Sequence, residues 1–153
     1  MWTFLTENRI AELVLRPVTS LMIRADNVAI VSPFHTLDHA LLVLTNSGYS
    51  AIPVLDRASV VQGTIHTNLI MNAVAGLNGY EMDSLHDQTV ESVMSREVPR
   101  IHSGESMLKA VELMINQPFL CVEDDAGKFV GLLTRKAVLG TLYRGFREQG
   151  LRP

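Results

Sequence analysis

The residues of this chain best suited to chemistry are Thr134, Arg135 and Lys136, which follow shortly after Gly131. A glycine lets backbone approach a ligand closely. A helix that begins just after a threonine turns N–H groups and a partial positive charge towards an anion. The Thr134 hydroxyl adds a further polar group, and Arg135 and Lys136 add charge-assisted donors for phosphate oxygens. In outline this is a phosphate site, although a capped helix with two exposed basic residues reads the same way. The matching residues of an earlier segment, His66, Thr67 and Asn68 behind Gly63, lack the paired cations. One phosphate site per chain is therefore the simplest expectation.

Other reactive side chains do not assemble. His35, His39, His66, His86 and His102 are spread without metal-like pairing on one helix face and without a partner cysteine. Cys121 stands alone in an apolar run, which excludes an intramolecular disulfide and suits a buried thiol in a reducing cytoplasm. Asp124 and Asp125 fall in an expected turn, and Asp83 and Asp87 in an expected linker, where solvated or capping roles prevail. No Ser, His and Asp share the strand-turn-helix context of a nucleophile elbow. No catalytic residue and no metal site are expected, and the chain reads as a binding protein rather than an enzyme.

These residues are positioned by a unit that occurs twice, with a period of about 70 residues. Ser20-Leu21-Met22-Ile23-Arg24 matches Ser92-Val93-Met94-Ser95-Arg96, and Val28 and Val31 match Val98 and Ile101. Leu37, Ala40, Leu41 and Leu44 then recur at the spacing of one helix face, as do Met107, Ala110, Val111 and Met114. Thr36 and Ser106 stand where N-caps belong. Apolar strands follow at Ala51 to Leu55 and Phe119 to Glu123, then turns at Asp56-Arg57-Ala58-Ser59 and Asp124-Asp125-Ala126-Gly127. Gly63 and Gly131 open a last strand-to-helix element. Each copy thus reads strand, helix, strand, strand, helix, with residues 75–90 as the connection.

The 153 residues suffice for one compact domain with a sizeable core. Apolar residues make up 47% of the chain, but no run approaches the ~20 needed to cross a bilayer. Met1-Trp2-Thr3-Phe4-Leu5 soon reaches Glu7, unlike a secretory signal. The net charge of −3 disfavours general nucleic-acid binding, and basic residues gather only at Arg135, Lys136, Arg144, Arg147 and Arg152. Val43 and Leu113 are apolar residues left over on other helix faces, which points to a homodimer.

The order of elements, the strand Ser50-Ala51-Ile52-Pro53-Val54-Leu55-Asp56 and the turn from Gly131 to Thr134 resemble the CBS (cystathionine β-synthase-type) motif. The resemblance implies an α/β (α+β) fold of tandem CBS motifs, a CBS pair or Bateman module, with ligand clefts and a tendency to dimerise. It divides the chain into an N-terminal helical segment at 1–17, a first motif at 18–74, a linker at 75–90, a second motif at 91–143 and a basic tail at 144–153. Nucleotide-binding CBS motifs usually place an Asp three residues after the Thr or Ser, where it holds the ribose diol. Here those positions are Leu69 and Ala137. In a 3′,5′-linked cyclic dinucleotide the 3′ oxygens are esterified, so losing the Asp suits that ligand.

A second resemblance points the same way. His39 to Thr45, Gly48 to Asp56, Thr67 to Asn72 and the Arg135-Lys136 pair are similar to small stand-alone CBS-pair proteins of Gram-positive bacteria that bind cyclic di-AMP. That likeness implies a base held near Asn27, Val28 and Ala29 and by Tyr49, Ser50, Ala51 and Pro53, with phosphates met by Thr134, Arg135 and Lys136. Tyr49 offers a stacking face worth roughly 1–3 kcal/mol per base, or else is a core side chain. No cofactor is expected, and the charge and apolar patterning above leave no membrane and no nucleic-acid partner expected. The resemblance implies a cytoplasmic homodimer whose targets are enzymes such as the (p)ppGpp synthetase or pyruvate carboxylase. A CBS-pair sensor of AMP or ATP, a nucleotide hydrolase and a structural module with vestigial clefts are the alternatives.

Overall fold

The computed structural model describes residues 9–151. In chain order its elements are helix α1 (residues 9–14), strand β1 (Ile23–Arg24), helix α2 (Leu37–Ser47), strands β2 (Ala51–Leu55) and β3 (Val61–His66) and helix α3 (Thr67–Ala73). Short strands β4 (Ala75–Gly76) and β5 (Gly79–Tyr80) and helix α4 (Val90–Val93) follow. The second half holds β6 (Arg100–His102), α5 (Met107–Met114), β7 (Phe119–Glu123), β8 (Phe129–Thr134) and α6 (Arg135–Glu148). The α+β class and the doubled order of elements are as expected. The start of the chain read against a signal peptide, Met1 to Glu7, and Arg152 of the basic group lie outside the described residues. Arg144 and Arg147, expected in a tail, are part of α6.

Two compact units form, one from Met1–Val28 with Pro99–Pro153 and one from Ala29–Val98. Neither is a single copy of the repeat. In the terminal unit the sheet order is β1-β8-β7-β6. Strand β1, from the first copy, pairs antiparallel with β8 through Ile23↔Leu132 and Arg24↔Gly131. Strand β6 runs parallel to β7. The central unit repeats this plan in reduced form. Its β2–β3 hairpin is flanked by two isolated bridges, antiparallel Ser95↔Thr64 from the second copy and parallel Val31↔Val54. Ser95 and Thr64 exchange N–H···O=C bonds of 2.9 Å in both directions. Each copy therefore gives its opening Ser-x-Met segment to the hairpin of the other.

The two strand glycines exist for this exchange. A Cβ on Gly131 would stand 2.6 Å from the Ile23 carbonyl oxygen and 2.5 Å from Met22 Sδ. On Gly63 it would run into the Ser95 carbonyl oxygen, with Met94 Sδ at 2.9 Å. The sequence pointed to a ligand as what approaches these glycines; in the structure the approaching group is the exchanged strand.

Each unit has its own core. Leu37, Ala40 and Leu44 bury the expected face of α2 against Ile52, Val54 and Ile65 in the central unit. Met107, Ala110 and Met114 do the same for α5 against Leu120, Val122 and Leu133 in the terminal unit. Fully burying one of the larger of these side chains, a Leu, Ile, Val or Met, contributes about 1.5–3 kcal/mol. Val43 and Leu113, expected to be left over for an interface, pack partly buried against these cores. The exposed apolar residues of the two helices are instead Leu42 and Leu108. Thr36 and Ser106 occupy the N-cap positions without a side-chain cap bond, the Thr36 hydroxyl binding the Asp38 carboxylate instead.

Both hairpin turns form where expected. Asp56 Oδ1 accepts the N–H groups of Ala58 at 2.8 Å and Val60 at 3.0 Å. Asp124 Oδ1 accepts those of Ala126 and Lys128, both at 2.9 Å. The connection at 75–90 is less plain than expected, because it contains the β4–β5 hairpin and a 3-10 turn, Met82–Asp87, that buries Leu85. Cys121 is fully buried, and desolvation, aided by Glu123, pushes its thiol up to about 12, which makes it unreactive.

Candidate ligand site

Thr134, Arg135 and Lys136 lie at a corner where the last strand of a hairpin turns into a helix. In the terminal unit that corner is β8 into α6. Thr134 is the N-cap, and its Oγ1 accepts the Ala137 N–H at 3.1 Å. The Arg135 N–H bonds the Pro118 carbonyl at 3.2 Å, so part of the helix end is already satisfied. The Arg135 guanidinium turns to the segment after α5, with Nη2 donating to the carbonyls of Met114 at 3.1 Å and Gln117 at 3.0 Å. Of its five N–H donors three remain for other acceptors. Lys136 is exposed and makes no hydrogen bond or ion pair among the described residues. The two cations that the sequence treats alike thus differ: Arg135 pins a loop, and Lys136 is the open charge.

The central unit has the equivalent corner at β3 into α3. The Thr67 N–H bonds the Ser50 carbonyl at 3.0 Å, as Arg135 does Pro118, and Ala51 pairs with His66 as Phe119 does with Thr134. Tyr49, at 40% exposure, is a surface ring, which removes the core reading of that residue. Ser50 is exposed, Ala51 is half-buried and Pro53 is buried, with its carbonyl accepting the Val31 N–H at 3.3 Å. Ala29 packs against the central core. Asn27 and Val28 belong to the terminal unit, where Asn27 ends an exposed 3-10 turn, Ala25–Asn27. The expected residues are accordingly divided: Asn27, Val28, Thr134, Arg135 and Lys136 in one unit, and Ala29, Tyr49, Ser50, Ala51 and Pro53 in the other.

The second copy also holds counterparts of the first copy's candidate residues that no motif in the sequence marks. Pro99 and Gln117 are the second-copy counterparts of Ala29 and Tyr49. With Arg100, Leu113, Asn116 and Leu120 they line a cleft of about 310 Å3 within the terminal unit, next to the loop that Arg135 holds. Arg100 is paired there with Glu123.

His66, half-buried where the second copy has Thr134, holds its Nε2 3.1 Å from Thr64 Oγ1. Desolvation lowers its pKa below 6.5. Burial, with His39 beside it, lowers His35 likewise, and the His35 Nδ1 accepts the Ser32 N–H at 3.0 Å, which requires an unprotonated nitrogen. Below pH 6.5 the unfolded chain takes up protons that these folded-state rings refuse, so stability is complete above that value and declines as pH falls towards the folded pKa values. Thermal melts between about pH 7.5 and 5.5 should show a falling midpoint, and His66→Gln should flatten the fall. An unchanged slope would assign the loss elsewhere.

No helix among the described residues is long and apolar enough to cross a membrane, and no three His, Cys, Asp or Glu among them come together to hold a metal ion. Comparison with known proteins gives a consistent picture. The CBS domain family profile matches residues 18–76 and 90–144. Cyclic di-AMP receptor B of Bacillus subtilis is 45% identical over 86% of this chain and 89% of its own. A CBS domain-containing protein of unknown function from Bacillus anthracis is 41% identical, with a TM-score of 0.82 over 88% of this chain and 97% of that one. CbpB of Listeria monocytogenes, in its complex with c-di-AMP, is 39% identical, with a TM-score of 0.78 over 86% of this chain and 98% of that one. With both copies of the repeat matched and the whole architecture shared, this chain belongs to the CBS domain family, as a tandem pair.

Proposed function

We propose that the chain is a cyclic di-AMP-binding adapter that acts without catalysis, as a cytoplasmic homodimer, on partner enzymes such as the (p)ppGpp synthetase or pyruvate carboxylase. The observation that carries the reading is the pair Leu69 and Ala137, apolar residues at the third positions of α3 and α6. A carboxylate there would accept two hydroxyls from the ribose of AMP or ATP. Neither residue offers an acceptor, and a ligand with esterified 3′ oxygens does not ask for one. The free ammonium of Lys136 and the remaining donors of Arg135 suit its phosphates. The names of the Bacillus subtilis receptor and of the Listeria monocytogenes complex support the same ligand.

Calorimetric titration with cyclic di-AMP, AMP and ATP tests this. Selective binding of cyclic di-AMP is expected, and equal or tighter binding of AMP or ATP would replace the reading with a mononucleotide sensor. A sensor without chemistry acts only through different affinities of its two states for a partner. The ligand is expected to weaken contact with the synthetase by ~1–3 kcal/mol, and the synthetase to weaken ligand binding by the same factor. Equal synthetase binding with and without saturating ligand would remove the switch.

A further inference from the structure

The asparagines among the described residues are Asn27, Asn46, Asn68, Asn72, Asn78 and Asn116, and all of them are exposed. Exposure therefore does not distinguish them, but the residue that follows does. Asn78 alone precedes a glycine, Gly79. The backbone nitrogen after an asparagine can attack its side-chain amide, and a glycine hinders that approach least because it has no Cβ. The backbone separates them as well. Asn46 lies in α2, and Asn68 and Asn72 lie in α3. The Val28 N–H, next after Asn27, bonds the Ala25 carbonyl at 3.2 Å, and the Gln117 N–H, next after Asn116, bonds the Met114 carbonyl at 3.4 Å.

Asn78 stands instead in the turn of the β4–β5 hairpin, whose register is Ala75↔Tyr80 and Gly76↔Gly79. These two short strands form a sheet of their own. Every residue from Ala75 to Tyr80 is exposed, and Leu77, directly before Asn78, is entirely in solvent at 104% relative exposure. A two-stranded hairpin without a buried face opens at little cost. A Cβ added at Gly79 would meet nothing within 4 Å, so the turn has room to rearrange.

We propose that Asn78 is a site of spontaneous deamidation, with water as the co-reactant. The Gly79 nitrogen, on losing its proton, attacks Asn78 Cγ and forms a C–N bond. The Cγ–Nδ2 bond breaks, and the nitrogen leaves as ammonia, which takes up the proton. Water then opens the resulting succinimide at either carbonyl, giving aspartate or isoaspartate, and the new carboxyl group passes its proton to the ammonia. Nothing is oxidised or reduced. The change runs one way and adds a negative charge to a stretch that has no lysine or arginine between Arg57 and Arg96, with Glu81 and Asp83 close by in sequence. The isoaspartate form also lengthens the backbone of a turn closed by the Gly76↔Gly79 pair and by the Glu81 N–H bond to the Val74 carbonyl at 2.7 Å. The hairpin thus carries a mark of molecular age that needs no enzyme.

Peptide mapping by mass spectrometry, on purified protein incubated at neutral and at mildly alkaline pH, is the test. Conversion at Asn78 is expected to be at least ~10-fold faster than at any other described asparagine, a barrier lower by about 1.4 kcal/mol. It should be faster at the higher pH, because the attacking nitrogen must lose a proton. Isoaspartate and aspartate should both appear at position 78, and ion exchange should resolve a matching acidic form. Asn78→Gln, whose longer side chain closes a ring less readily, should slow the build-up of that form at least ~10-fold. Asn78→Asp should elute with it from the start. An Asn78 that stays intact, equal rates at all the described asparagines, or an acidic form that builds up as fast in Asn78→Gln overturns the proposal.

Discussion

Gly131→Ala is expected to lower the stability of the fold by about 2–3 kcal/mol, and Gly63→Ala by a similar amount. In both positions the added methyl meets a backbone carbonyl of the exchanged segment, that of Ile23 in one case and of Ser95 in the other. A flexible side chain such as Met22 can turn away, but the carbonyls belong to the strand pairing itself. Relief therefore requires the segment to move off the hairpin, with loss of its hydrogen bonds. For a chain of this length each kcal/mol corresponds to roughly 2–4 °C of melting temperature, so a fall of about 4–12 °C is the readout. Gly140→Ala is the control. Its added methyl meets only the far end of the Arg144 side chain at 3.3 Å, and within α6 alanine is the better helix former by about 0.8–1 kcal/mol. The same chemical change should thus destabilise in the strands and stabilise in the helix. Equal effects at the three positions would remove strand exchange as the reason for the two strand glycines.

That exchange was the part of the fold least legible in the sequence. The repeat itself, the buried faces of α2 and α5 and the Asp-led turns could be read because each depends on local periodicity or turn chemistry. Pairing of Ser20–Arg24 and Ser92–Arg96 with the other copy's hairpin depends on contacts distant in sequence, and nothing in the five matching residues distinguishes exchange from pairing at home. Gly63 and Gly131 were visible, but a missing side chain does not say what approaches it. Val43 and Leu113 misled for a related reason, since a helix packed on both a sheet and a neighbouring helix buries more than one stripe. Of the site, the Thr134 cap was legible from residue type alone. The division between Arg135 and Lys136 was not, because it depends on the carbonyls that end α5 at Met114 and the following loop reaching the first turn of α6.

That division yields the other large effect. Lys136→Ala should weaken cyclic di-AMP binding by about 10- to 100-fold, the worth of one charge-assisted contact to phosphate, and leave the melting temperature of the unliganded protein unchanged. Arg135→Ala should weaken binding to a similar degree and also lower the melting temperature, because it removes the donors that hold Met114 and Gln117 and frees the loop leading into β7. Arg135→Lys separates the two roles: it keeps the positive charge but lacks a planar fork able to bridge two carbonyls while presenting donors to an anion. Its stability should resemble that of Arg135→Ala, and its affinity should lie between Arg135→Ala and wild type. One titration and one thermal melt of the unliganded protein for each of the three variants give six values to set against this scheme. Wild-type affinity in Lys136→Ala, with affinity in the Arg135 variants falling only as far as their stability does, would move the phosphates away from this corner and leave Arg135 as a loop anchor alone.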